Sequence, residues 1–165
     1  MSNIKPLIKI TESKNNNLLK EFFIKHWGSD YIVSRGHKFY GDQLPYIMAT
    51  NEDNEIVGLL TYNINENMCE VISIDSLMPN QGIGSMLMNR MIEIAKANQF
   101  SRLWLITTND NTDSMRFYQK SGFVFKAVHI NAIEKSRKLK KSIPKLGFYN
   151  IPIRDEIEFE YPIKK

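Results

Sequence analysis

The sequence predicts a single α/β domain, a mixed sheet with helices on both faces. Three observations carry that reading. Short apolar runs of strand length alternate along the chain with longer segments whose apolar residues recur at helical spacing. The chain has 165 residues, 42% hydrophobic and 24% charged, enough for one sizeable core and cramped for two. No internal repeat and no Gly-, Ser- or Pro-rich linker divides it, so the domain is expected to span 1–165.

Taken in order, residues 4–10 alternate loosely and predict a first strand. From 13 to 27, Leu18, Leu19, Phe22, Phe23 and Trp27 share one helical face and predict an amphipathic helix. Residues 28–43 stay open between loop and short helix. Strands are expected over 46–51, 56–64 and 68–74, with Asn54 in the first turn and NINEN (63–67) closing a hairpin. Ile83, Leu87, Met91, Ile94 and Ala95 recur at helical spacing, so a glycine-containing loop leads into a long helix. RLWLITT (102–108) reads as a strand buried on both faces. NDNTDS then supplies cap residues for a short helix that stops at Gly122. A strand over 123–130, a basic helix over 132–141 and a strand over 156–161 follow.

Composition removes several function classes. The single Cys69 excludes an internal disulfide and a Cys-rich zinc site, and reads as a small buried strand residue. Lys5 and Lys9 interrupt the first apolar stretch, so no signal peptide is expected. The longest apolar run, 56–60, is far short of the roughly 20 residues of a membrane span, so a cytoplasmic protein without a membrane partner is expected. Net charge is 22 − 18 = +4, which permits an anionic ligand. The basic run 131–145 reads as a solvated helix face; with no aromatic-studded basic strand, no nucleic-acid partner is expected. His26, His37 and His129 show neither ligand spacing nor a carboxylate partner, and no metal is expected.

Two constellations carry chemistry. Gln81-Gly82-Ile83-Gly84-Ser85 lies between a strand and a helix, where unpaired amides can meet an anion. No Lys follows Gly84, so it is not a Walker A loop. Leu87 stands where a dinucleotide fingerprint needs its third glycine. A plain tight turn remains the alternative. In the second, Asn111 and Tyr118 lie seven residues apart, on one helix face with Ser114 between them, ahead of Gly122-Phe123. Its alternative is a capping Asn and a half-buried Tyr.

Together the glycine loop and N-x-x-S-x-x-F-Y-x-x-x-G-F resemble the GNAT-type N-acetyltransferases, which use acetyl-coenzyme A. The resemblance covers essentially the whole chain and is strongest between Glu70 and Phe123. It implies an acyl-CoA N-acyltransferase-like fold, with acetyl-CoA as cosubstrate and a primary amine on a small molecule or protein as acceptor. Gln81, Gly82, Ile83, Gly84 and Ser85 would take the pyrophosphate, Leu77 and Met78 the pantetheine arm, and Asn111 would reach the coenzyme. In one departure from the family, Pro79 stands where Arg or Gln is usual and the loop looks about two residues short. A non-catalytic acyl-CoA-binding domain is the alternative function.

Acetyl transfer needs an uncharged amine, yet an alkylamine with a pKa near 10.4 is almost fully protonated at pH 7. Glu70 is the expected base: it shares a strand face with Met68, Ile72 and Ile74, apolar neighbours that raise a carboxyl's pKa, and matches the base of histone-type members. Tyr118 is the expected acid at the leaving thiolate. Trp27, Tyr31 and Arg35 would line the acceptor cleft. Arg35 suits a carboxylate, whereas Asp155 and Glu156 suit a cationic amine. The resemblance also allows a homodimer, with strand 156–161 as its contact.

Overall fold

The computed structural model describes residues 7–14 and 16–163. Among these residues nine strands and four α-helices follow in order: β1 (Lys9–Ser13), α1 (Asn16–Trp27), β2 (Tyr31–Ser34), β3 (His37–Tyr40), β4 (Tyr46–Thr50), β5 (Ile56–Asn65), β6 (Met68–Ser76), α2 (Ile83–Ala97), β7 (Arg102–Thr108), α3 (Thr112–Lys120), β8 (Val124–His129), α4 (Ala132–Leu139) and β9 (Glu156–Tyr161). The seven-stranded sheet has the order β1-β4-β5-β6-β7-β9-β8, and β2 and β3 form a separate hairpin. This is the expected mixed sheet. The first strand begins later than the sequence suggests, and residues 4–6 of that expectation lie outside the described residues. No helix among the described residues is long and apolar enough to cross a membrane.

Each face of the sheet buries its own core. Leu87, Met88, Met91 and Ala95 of α2 pack with Leu60, Cys69, Leu105 and Phe159 on one face. Leu19, Phe22 and Phe23 of α1 pack with Ile32, Tyr46 and Leu59 on the other. Cys69 is fully buried on the α2 face, as a small strand residue. At Gly58 of β5 the long helix comes so close that a side chain has no room. A Cβ there would lie 2.5 Å from Ile83 Cγ2 and 3.1 Å from the Asp75 carbonyl oxygen. Gly58→Ala is therefore expected to cost about 1–3 kcal/mol through overpacking, read as a melting temperature lower by several degrees.

Three expectations are corrected here. Residues 28–43 are mainly the β2–β3 hairpin, closed by Arg35-Gly36 with φ of 49° and 72°, and only 41–43 form a short 3-10 helix. The sequence hides the hairpin because the two-residue turn lacks the usual Asn or Asp before glycine. Strand β7 is not buried on both faces: Leu103, Leu105 and Thr107 are buried, while Arg102, Trp104, Ile106 and Thr108 on the other side are only partly covered. Polar chemistry occupies that second side. Finally, β9 lies between β7 and β8, so it has no free edge for a second copy.

The sheet forks at its centre. β6 and β7 pair in parallel only from Met68↔Arg102 to Val71↔Leu105; beyond Val71 no pairing joins them. Just there, β6 carries a bulge at Ile72, as its register on β5 passes from Tyr62↔Val71 to Thr61↔Ser73. The extra residue swaps the faces. Glu70 and Ile72 look toward the α1 side, but Ile74 packs against the α2 core and does not share Glu70's face as simple alternation predicts.

Candidate active site

The fork presents β6 as a strand edge inside the sheet. The Leu77 amide donates to the Val57 carbonyl at 2.8 Å. Ladder alternation therefore turns the N–H and C=O groups of Ile74 and Ser76 away from β5 and toward the gap. Next the chain turns through Asn80 and Gly82, both left-handed with φ of 61° and 74°. Gly82 is the N-cap of α2 and lends it no side-chain cap. The first helical bond runs from the Met86 amide to the Gly82 carbonyl, so the amides of Ile83, Gly84 and Ser85 lack intrahelical acceptors. Gln81–Ser85 is thus a positive, donor-rich corner directly after β6.

On the α2 face, α3 brings Tyr118 into the core. Its ring is 8% exposed and packs edge-on against Phe117 and tilted against Phe123 and Phe159. Burial pushes the hydroxyl up to about 12; the hydrogen bond with Ser114 opposes this, and the charge of Asp75 adds to it. Tyr118 is a protonated donor at neutral pH. Asn111 caps α3, its Oδ1 accepting from the Ser114 amide at 3.2 Å, which leaves its side-chain N–H groups free to donate elsewhere.

On the opposite face Glu70 is 7% exposed and sits one residue before the last β6–β7 pair. Burial raises its carboxyl to about 7, against the lowering effect of the Ser34 hydrogen bond and of Arg35 and Arg102. Ser34 Oγ donates to its Oε1 at 3.2 Å. Glu70 forms part of the wall of a cavity of about 450 Å³ with Ser34, Arg35, His37, Phe39, Met68 and Trp104. A carboxyl poised near neutrality in such a cavity can accept a proton.

Arg35 holds the hairpin onto this face. Its amide donates to Glu156 Oε1 and its Nη1 to Glu158 Oε2, both at 3.2 Å, and its guanidinium lies 6.0 Å from the Trp104 ring. A left-handed Arg costs roughly 1–2 kcal/mol against glycine there. Burial alone would raise the Glu158 carboxyl, but His129, Arg102 and Arg35 hold it below its usual range. His129 Nε2 lies 2.7 Å from Glu158 Oε2, so this histidine has the carboxylate partner that spacing did not reveal.

The other expected acceptor residues fall elsewhere. Trp27 donates its indole N–H to Asp75 Oδ2 at 3.3 Å, at the fork end of β6. Tyr31 donates to the Leu139 carbonyl, and its ring is flanked by the ammonium groups of Lys38 and Lys140. Of the three, Arg35 alone lines the cavity. Neither Asp155 nor Glu156 lines the cavity. Asp155 is held by Arg154 and the Asn131 amide, and Glu156 Oε1 accepts from the Arg35 amide and from Ser136, while Glu156 Oε2 is buried without a partner among the described residues. Nor is the basic run only a solvated face, since Arg137 donates to the Ile153 carbonyl and Lys140 to that of Trp27.

Ser34, Trp104 and Asp75 were missed in the sequence. The unread hairpin hid Ser34; Trp104 and Asp75 carry no local signal. Among the described residues no three His, Cys, Asp or Glu are grouped to hold a metal ion.

Comparison with known proteins gives four findings. A model of the acetyltransferase (GNAT) family matches residues 14–123. The chain is 46% identical over 143 residues to the Bacillus subtilis (strain 168) uncharacterized protein YdhI, covering 87% of this chain and 89% of that protein. Its fold is similar to that of the IAA acetyltransferase from Bacillus cereus ATCC 14579, with a TM-score of 0.74 at 19% identity over 94% of this chain and 99% of that one. It is also similar to a GNAT family acetyltransferase from Elizabethkingia anophelis solved with acetyl-CoA bound. There the TM-score is 0.67 at 21% identity, over 94% of this chain and 98% of that one.

Proposed function

We propose that this chain, which belongs to the GNAT acetyltransferase family, moves an acetyl group from acetyl-CoA to a primary amine by direct attack, in the cytoplasm. One observation carries the reading: the sheet opens beyond Val71, with Glu70 one residue before the opening on one face and, on the other, Tyr118 in the α2 core within reach of the charge of Asp75 on the open edge of β6. A slender thioester entering the gap would meet both. The Gln81–Ser85 corner suits a pyrophosphate, through the amides of Ile83, Gly84 and Ser85 and a backbone left open by Gly82. The outward groups of Ile74 and Ser76, with Leu77 and Met78 beyond, suit an amide-bearing arm, and Asn111 has N–H groups to spare for it.

Acetyl-CoA supplies the acyl group as a thioester. Glu70 accepts the proton that frees the amine lone pair. As the new C–N bond forms and the C–S bond breaks, Tyr118 donates its proton to the departing sulfur, and the proton that the acylated nitrogen sheds restores the phenol. Ser34 fixes the carboxyl's orientation, and Ser114 that of the phenol.

A thermal titration tests the donor. At about 100 times its dissociation constant, acetyl-CoA should add about 2.7 kcal/mol and raise the melting temperature by several degrees, while ATP should not. Absence of a shift overturns the reading. A shift without thiol release on any amine favours a non-catalytic binding domain.

A further inference from the structure

The acceptor cavity is asymmetric in charge. Glu70 is its one carboxylate, deep and close to neutral, while Arg35, His37 and Lys38 are basic. The Lys38 ammonium lies 4.6 Å from the Tyr31 ring centre, on the other side of its strand, which leaves Arg35 and His37 to face a ligand. The Arg35 side chain is 39% exposed, and its only side-chain hydrogen bond among the described residues is from Nη1 to Glu158. That carboxylate is already shared with Arg102 and His129. Nε and Nη2 of Arg35 are thus unmatched donors at the cavity wall. Ser34, the preceding residue, is bonded to Glu70, so one stretch of hairpin sets a cation beside the proton acceptor. Phe39, Met68 and Trp104 supply the apolar wall. Asp155 is held internally, and neither it nor Glu156, whose Oε2 is buried and unpartnered among the described residues, lines the cavity, so the charge the cavity opens to a ligand is positive.

We infer that the acceptor is a free amino acid with an apolar side chain, its amine at Glu70 and its carboxylate on Arg35. This rests on the acetyl-transfer reading above. A planar guanidinium matches a carboxylate through two parallel bonds, and the strained turn that holds Arg35 suits a fixed anion contact better than a mobile surface residue. The products are the N-acetyl amino acid and free coenzyme A.

The test follows thiol release from acetyl-CoA with leucine, methionine and phenylalanine, each beside its amide and its decarboxylated amine, and with spermidine. The free amino acids should be preferred in kcat/KM by roughly 10- to 100-fold, the usual effect of one charged hydrogen-bonded contact. Arg35→Gln should collapse that preference toward unity. Deleting the carboxylate from the ligand needs no variant, so the test stands even where Arg35→Gln does not fold. Calorimetric binding of phenylalanine to the coenzyme A-saturated protein gives a readout without turnover. Equal or faster turnover of the amides, the decarboxylated amines or spermidine overturns this inference and leaves acetyl transfer standing. Failure of acetyl-CoA to shift the melting temperature removes the reading beneath it.

Discussion

Glu70→Gln should lower kcat/KM by roughly 100- to 10,000-fold, the usual range for loss of a positioned base. The parent enzyme should gain activity as pH rises through about 7, where Glu70 loses its proton, and the variant should lack that limb. Stability should move the opposite way. The folded-state pKa lies above the usual carboxyl value, so folding favours the neutral form and weakens as pH rises through about 7. Gln cannot ionise and still offers Ser34 a partner. Above pH 8 the variant should therefore be the more stable protein, by about 1–3 kcal/mol. A pH profile unchanged by the substitution would remove Glu70 from the chemistry.

Tyr118→Phe should lower kcat by roughly 10- to 1000-fold, since the departing sulfur then takes its proton from water. Affinity for acetyl-CoA should change far less, because the ring and its packing against Phe123 and Phe159 are kept. The phenol's high pKa adds a second expectation: no loss of activity from ionised Tyr118 anywhere below about pH 11. Stopped-flow turnover and equilibrium titration of the same preparation separate the two effects. Undiminished turnover would assign sulfur protonation to another group.

Where the sequence was readable, it was so for local reasons. The boundaries of β7 follow from an apolar run with polar edges and those of β9 from the alternation in EIEFEY, while the presence of α2 follows from five apolar residues at helical spacing beside paired glycines. Asn111 and Tyr118 could be placed on one helix because seven residues are two turns. What could not be read depends on pairing between distant segments. The bulge at Ile72 inverts the side to which Ile74 points, and a single extra residue leaves no mark in composition. The carboxylates that bind Arg35 lie more than 120 positions away, on β9. In the sequence Glu156 reads as a site for a cationic amine and Glu158 carries no signal of its own, and both are buried in the fold.

The place of β9 between β7 and β8 has a consequence for how the protein is made. Synthesis delivers β8 before the strand that must hold it, so for a time β7 and β8 emerge as two unattached edges. The half of the sheet from β1 to β6 and the helix α2 can already collapse in that interval. Insertion of β9 is then a long-range closure, the slow kind, and it arrives carrying the partners that seat the Arg35 hairpin. The nascent chain thus acquires a core well before it acquires a finished catalytic face, and exposed strand edges during that delay are where a chaperone has most to protect.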